Sequence, residues 1–207
     1  MILSRKRVAV LISGRGSNMA SLIEAARTPS YPAEIILVIS NKAEAAGLAF
    51  AKSHGIEALA IPHKDFASRE AHDAAIDAAL EAVGAEIVCL AGYMRIMSAG
   101  LIEKWAGRMI NIHPSQLPAF PGLHTHERAI EAGATKHGCT THFVTTGVDE
   151  GPVITQASVP VLQGDTPESL AARVLAEEHK LYPAALRLVA EGRVRMGEQR
   201  VAFSGGN

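Results

Sequence analysis

The sequence predicts an α/β fold: a Rossmann-like, mostly parallel twisted sheet with helices on both faces, followed by a C-terminal part with antiparallel strands and a long helix. Three observations carry this expectation. Uninterrupted aliphatic runs at 8–12, 35–39 and 87–91 have the texture of strands covered on both faces. Segments between them carry apolar residues at helical spacing, and strands alternating with helices build a parallel sheet. From about residue 140 the texture changes to alternating runs at 140–144 and 153–161, which read as more exposed strands.

Length and composition bound the rest. With 207 residues, 48% hydrophobic and 20% charged, the chain is expected to form one domain over 1–207. Twenty Lys and Arg against 21 Asp and Glu leave a net charge of −1, which gives no basis for a nucleic-acid groove or a polybasic membrane contact. Small molecules are the expected partners, with monomer and homodimer both open. Cys89 and Cys139 stand apart in apolar or small-residue settings, so buried free thiols are expected rather than a zinc site or a disulfide. The apolar run after the basic residues 1–7 is too short for a signal peptide or a span, and the expected location is cytoplasmic.

The first strand ends in Ser13-Gly14-Arg15-Gly16-Ser17-Asn18, and the next segment places Met19, Leu22, Ile23 and Ala26 at helical spacing with Ser17 or Asn18 as N-cap. Such a glycine loop aims backbone N–H groups and the positive end of a helix at an anion. No Gly-Lys-Ser/Thr follows, and Met19 stands where a dinucleotide fingerprint needs its third glycine. The second strand runs into Ser40-Asn41-Lys42 with no ribose-binding carboxylate. A phosphorylated small molecule therefore fits better than NAD, the alternative being a purely structural turn.

An Ala-rich helix at 45–54, a strand at 58–61 and a helix at 68–83 continue the alternation. Arg69, near the start of that helix, is either a ligand clamp or simply solvated. The strand at 87–91 turns through Gly92 into Tyr93-Met94-Arg95-Ile96-Met97. Carboxyl ends of parallel strands carry the ligand site, and Met adapts to flat surfaces, so an apolar slot for a planar ring is expected there, against a core-packing turn.

Asn111-Ile112-His113-Pro114-Ser115 presents an amide and an imidazole two positions apart, on one face if the stretch is a strand. At a strand end they would offer a donor and a titratable ring to one reacting group; the alternative is a polar loop. The loop to His126 is stiffened by Pro114, Pro118 and Pro121. His124-Thr125-His126 lacks the Cys or carboxylate companions of a metal site, so no metal is expected, and Thr125 is read as the cap of a helix at 127–131. Asp149, in the loop Thr145-Thr146-Gly147-Val148-Asp149-Glu150-Gly151-Pro152, either closes a hairpin or reaches back to raise the pKa of His113. Thr166-Pro167-Glu168 starts a long amphipathic helix running to about 191 despite Pro183, with Glu177-Glu178-His179 as a solvated face or a ligand contact.

Seven segments, 10–18 (Val-Leu-Ile-Ser-Gly-Arg-Gly-Ser-Asn), 40–43, 91–97, 111–115, 121–126, 142–145 and 149–154, together resemble the phosphoribosylglycinamide formyltransferase family, in one register over about 8–191. The resemblance implies the formyltransferase fold and transfer of formyl from 10-formyltetrahydrofolate, a co-substrate needing no metal, to the amino group of N1-(5-phospho-D-ribosyl)glycinamide in purine synthesis. By that similarity Gly16, Ser17 and Asn18 hold the phosphate, and Leu175, Ala176, Glu177 and Glu178 lie near the ribonucleotide, Glu178 in direct contact. Arg69, Met94, Arg95, Ile96, Met97 and Asn111, with Thr145, Thr146, Gly147, Val148 and Asp149, would receive the folate. Asn111, His113 and Asp149 match the catalytic trio, with Asn111 and an imidazolium at His113 stabilising a tetrahedral oxyanion while Asp149 keeps His113 charged and positions a water. Arg15 replaces a residue that is neutral in some members.

The trio is shared with methionyl-tRNA formyltransferase, expected to add a basic tRNA-binding domain, and with formyltetrahydrofolate hydrolase, expected to add an N-terminal regulatory domain. Neither addition is expected in 207 residues. A non-catalytic nucleotide-binding module would have no use for the trio.

Overall fold

A computed structural model describes residues 5–197 and the backbone of 201–203. Strand β1 (Lys6–Ile12) is flanked by β2 (Ala33–Ser40) and β4 (Ile87–Leu90), both parallel to it; β3 (Glu57–Ala60) extends one side and β5 (Met109–His113) the other. Two antiparallel strands, β6 (Lys136–Phe143) and β7 (Val153–Pro160), complete the order β3-β2-β1-β4-β5-β6-β7. The chain moves outward from β1 to β3, then returns to place β4 on β1's other side. That reversal opens a crevice at the strands' carboxyl ends, where α/β proteins bind ligands.

Side-chain alternation sorts the core into two layers. Val8, Val10 and Ile12 of β1 and Cys89 of β4 face a cluster built with α1 (Ser17–Ala26), α2 (Ala46–Ser53) and α6 (Pro167–Ala190). Ala9, Leu11, Val88 and Leu90 face the opposite layer, with α3 (Arg69–Ala82) and the short α4 (Ala99–Lys104). Both faces of the parallel strands are thus covered, as their unbroken aliphatic runs require. The α3–α4 pair is locked by Asp77, which accepts from Trp105 Nε1 at 2.8 Å and pairs with Lys104 at 2.5 Å. Tyr182 of α6, fully buried, places its hydroxyl 3.0 Å from the Leu90 carbonyl and 3.1 Å from that of Ile110, clasping the helix to β4 and β5.

The long helix starts where Thr166 and Pro167 place it: Thr166 accepts from Ser169 N while Ser169 Oγ accepts from Thr166 N, a reciprocal cap. It passes through Pro183 unbroken, and Tyr31 donates to the Pro183 carbonyl at 2.7 Å.

Three local expectations need correction. The N-cap of α1 is Gly16, not Ser17 or Asn18: its left-handed φ of 69° turns the loop into the helix without a side-chain cap. Helix α5 (Thr125–Glu131) begins at Thr125, whose hydroxyl donates to the Pro114 carbonyl at 2.8 Å instead of capping; His124 is the N-cap residue. Strand β6 is not the more exposed strand expected. It lies between β5 and β7, is buried after Lys136, and spends its polar residues internally: Thr140 donates to the Ser115 carbonyl at 2.7 Å, and the Thr141 and Thr155 hydroxyls meet at 2.6 Å.

Both cysteines are buried and free, and burial pushes each thiol up to about 12. No helix among the described residues is long and apolar enough to cross a membrane. Whether the C-terminal residues pair was left open by the sequence; β8 (Val194–Met196) pairs antiparallel with β9 (Val201–Phe203). The segment 204–207 lies outside the described residues.

Candidate active site

A cavity of about 910 Å³ opens at the switch point. One wall is Asn18 and Glu178, a second is the run 92–97, a third is the loop 144–149, and the floor is the end of β5. Asn111 and His113, two apart on β5, share one face of the strand and both line the cavity, which the two-residue spacing predicted.

Antiparallel register sets Asn111 opposite His142. The His142 ring places Nδ1 2.9 Å from the Phe143 carbonyl, which requires a proton on Nδ1, and leaves Nε2 to accept from Asn111 Nδ2 at 3.1 Å. That contact fixes which way the Asn111 amide points and leaves its second N–H for the cavity. His142 was not singled out as a site residue, because its role depends on a cross-strand pairing that no local pattern encodes.

His113 is held between two acceptors. Its Nδ1 lies 3.3 Å from Asp149 Oδ2, and its Nε2 lies 3.1 Å from the Phe120 carbonyl. Asp149 reaches this position from a left-handed turn (φ 56°), and its Oδ2 also accepts from Gly122 N at 2.8 Å. Phe120 and His124 are the other two non-glycine residues with positive φ among those described, so all three border this site.

The electrostatics correct one expectation. Burial lowers the pKa of His113 and outweighs the Phe120 carbonyl and the Asp149 carboxylate, which raise it, so the net shift is downward from 6.5. Asp149 acts on His113 in the expected direction, against the larger effect of burial. Asp149 itself is pushed up by burial, yet the nearby His142 ring, the Gly122 N–H and His113 hold it below the usual carboxylate range. Its Oδ1 stands 3.7 Å from His142 Nε2, too long for a hydrogen bond.

Asn18 and Glu178 meet across the opposite wall, with Asn18 Nδ2 donating to Glu178 Oε2 at 2.6 Å. Burial raises the Glu178 pKa despite this bond, and Asn18 Oδ1 is buried without a partner. Gly16 and Ser17 sit on the loop leading into Asn18 but do not line the cavity. Leu175, Ala176 and Glu177 also lie outside the lining, and Glu177 pairs instead with Lys180 at 2.8 Å.

Met94, Arg95, Ile96 and Met97 line the slot, as do Thr145, Thr146, Gly147, Val148 and Asp149. Arg69 is exposed at the first residue of α3, outside the lining; the cap of that helix is Ser68. His124 and His126 both line the cavity but turn to different partners: His124 Nδ1 to Glu127 at 2.9 Å and His126 Nδ1 to His137 Nε2 at 3.1 Å. No group of three or more potential metal ligands occurs among the described residues.

The switch point thus offers oriented donors, a titratable ring and a carboxylate, with neither Ser nor Cys lining the cavity. An α/β protein built this way is an enzyme of group transfer. The chain belongs to the formyl transferase family, whose signature covers residues 6–186.

Among relatives, phosphoribosylglycinamide formyltransferase of Escherichia coli (strain K12) is 43% identical over 198 residues, spanning 96% of this chain and 93% of that protein. The crystal structure of glycinamide ribonucleotide transformylase 1 from Symbiobacterium toebii matches with a TM-score of 0.94 at 48% identity, over 97% of this chain and 95% of the other. The trifunctional purine biosynthetic protein adenosine-3 of Bos taurus is 54% identical over 194 residues, and the chain spans 19% of its length.

Proposed function

We propose that the chain transfers formyl from 10-formyltetrahydrofolate to the amino group of N1-(5-phospho-D-ribosyl)glycinamide, as a step of purine synthesis. The observation that carries this is Asn111 and His113 on the cavity floor with Asp149 reaching them from the 144–149 wall, between the Asn18–Glu178 wall and the apolar 92–97 slot. The first wall adjoins the glycine loop suited to a phosphate. The second, with Met94 and Ile96 exposed, is suited to a flat ring.

Asn111 donates its unengaged N–H to the oxyanion that forms when the amine adds to the formyl carbon. The His142 contact preorganises that donor, so little reorganisation is needed at the moment of reaction. His113 becomes a second donor by giving up one acceptor. The Phe120 carbonyl is the one to yield, because the Asp149 contact strengthens as the ring gains charge. Asp149 stabilises the imidazolium, and His113 relays the proton from the attacking amine toward the departing folate nitrogen. Glu178 and the unpartnered Asn18 Oδ1 face the ribonucleotide as acceptors. The substrates are small molecules, and the proposed chemistry draws on no metal.

The test is a formyl-transfer assay with glycinamide ribonucleotide, water and initiator tRNA as competing acceptors. Transfer to the ribonucleotide is expected to dominate; deformylation by water alone, or formylation of tRNA, would overturn the assignment. In the same assay Asn111→Ala is expected to lower kcat by ~10²-fold or more, the usual cost of one oxyanion donor.

A further inference from the structure

Three strand ends at the switch point are joined by a single buried hydroxyl. Ser13 follows β1, Asn41 follows β2, and Met94 lies on the run that follows β4; in the sheet these strands are neighbours in the order β2-β1-β4. Ser13 Oγ accepts from Met94 N at 2.8 Å and donates to Asn41 Oδ1 at 2.6 Å. Ser13 N donates in addition to the Gly92 carbonyl at 3.2 Å. Ser13 and Asn41 are both buried, so neither bond exchanges readily with water.

The run that Ser13 grips is anchored in the core by Tyr93 and the buried Met97, but its middle is not. Met94 and Ile96 are 68% and 64% exposed, so their packing does not hold the backbone. Its far end is pinned by the buried Asp73, whose Oδ2 accepts from Ser98 N at 2.5 Å. The exposed 94–96 part of the slot therefore depends on the Ser13 bond at its start and on Met97 and the Asp73–Ser98 bond at its end, and the first of these anchors lies on the loop that leads to Gly16.

We propose that Ser13 is a positioning residue that fixes the folate slot against the phosphate loop through the Met94–Ser13–Asn41 bridge. This rests on the function proposed above. Without the hydroxyl, the Met94 N–H and Asn41 Oδ1 both lose their partner at a buried site, and the slot relaxes away from its ring-binding shape. The trio on β5 and the 144–149 loop is untouched, so the chemistry of bound substrates is preserved.

The experiment is steady-state kinetics of Ser13→Ala with each substrate varied in turn, beside calorimetric titration with tetrahydrofolate and a thermal melt. The KM for 10-formyltetrahydrofolate and the Kd for tetrahydrofolate are expected to rise about 5–10-fold, the ribonucleotide KM and kcat staying within about twofold. A folded Ser13→Ala protein with unchanged folate KM and Kd overturns the proposal. So does one in which kcat and both KM values deteriorate together, since that is the signature of general damage. If Ser13→Ala does not fold, Asn41→Ala carries the test: removing the outer half of the bridge is expected to raise the folate KM about 2–4-fold, and no rise overturns the proposal. A wild-type protein without formyl-transfer activity would instead overturn the function itself, and the tetrahydrofolate Kd would still report on Ser13.

Discussion

At the scale of single residues, the site is governed by how burial competes with charge around His113. Asp149 pulls the imidazole pKa up, burial pulls it down, and burial wins in the ligand-free protein. Replacing Asp149 by Asn keeps a side chain that tolerates the left-handed φ of 56°, so folding is expected to survive. It removes the charge that favours the imidazolium, and the His113 pKa drops further below 6.5. We expect kcat to fall by about 10²-fold or more, and the limb of the pH–rate profile assigned to His113 to move to lower pH. Profiles measured between pH 5 and 9 would check both; an Asp149→Asn profile that overlays the wild type would remove Asp149 from the mechanism.

At the scale of elements, the phosphate loop is shaped from behind by α2. Gly47 N donates to the Gly14 carbonyl at 3.1 Å. A Cβ at Gly47 would lie 2.4 Å from Ile12 Cδ1, 3.1 Å from the Gly14 oxygen and 3.2 Å from the Arg15 oxygen. The Ile12 methyl has room to rotate only within a full core, and the two carbonyls belong to the loop itself. Gly47→Ala is therefore expected to push the 14–16 backbone outward and raise the ribonucleotide KM several-fold, leaving the folate KM near its original value. Its stability cost, ~1–3 kcal/mol for overpacking, is offset by about 1 kcal/mol of helix propensity, and chemical denaturation measures the difference. The element scale is also where sequence reading succeeds and stops. Strand β1 and helix α6 were legible because their aliphatic run and Thr-Pro start are local signals. The six-residue α4 escaped notice because it is too short to show a period. Strand β6 was misjudged because its polar residues report internal partners on β5, β7 and the 114–118 loop, which local alternation cannot distinguish from solvent. Asn111 and His113 stood out by residue type and spacing, and it took the family resemblance to join Asp149 to them; the His142 and Phe120 contacts were not legible, since both arise from chain segments meeting only in the folded sheet.

At the scale of the whole molecule, the histidines behind the site make stability depend on pH. His113, His126, His137 and His179 are each held below 6.5, in each case chiefly by burial, His137 down to about 4. His137 adds a like-charge penalty through His126, with which it shares a 3.1 Å contact. The sign follows from proton counts. Below 6.5 the unfolded chain protonates these rings before the folded one does, so the unfolded state binds more protons and stability falls as pH drops. Above 6.5 both states carry neutral rings and this contribution is complete. Glu178 works in the opposite sense: burial raises its pKa, so the folded state takes up a proton more readily and loses stability as pH rises through that raised value. Four groups against one leave the acid side as the weak side. For the buried His137 alone, whose pKa falls to about 4, the loss between pH 7 and pH 5 is on the order of 2 kcal/mol, a fall in Tm of roughly 4–8 °C for a chain of this size, and the other three rings act in the same direction. Calorimetry across pH 5–8 checks the slope, and His137→Gln, which removes the most strongly depressed ring, should flatten it. A wild-type Tm that holds steady down to pH 5 would mean that these imidazoles protonate in the folded chain as readily as in the unfolded one, and would remove burial as the source of the pH dependence.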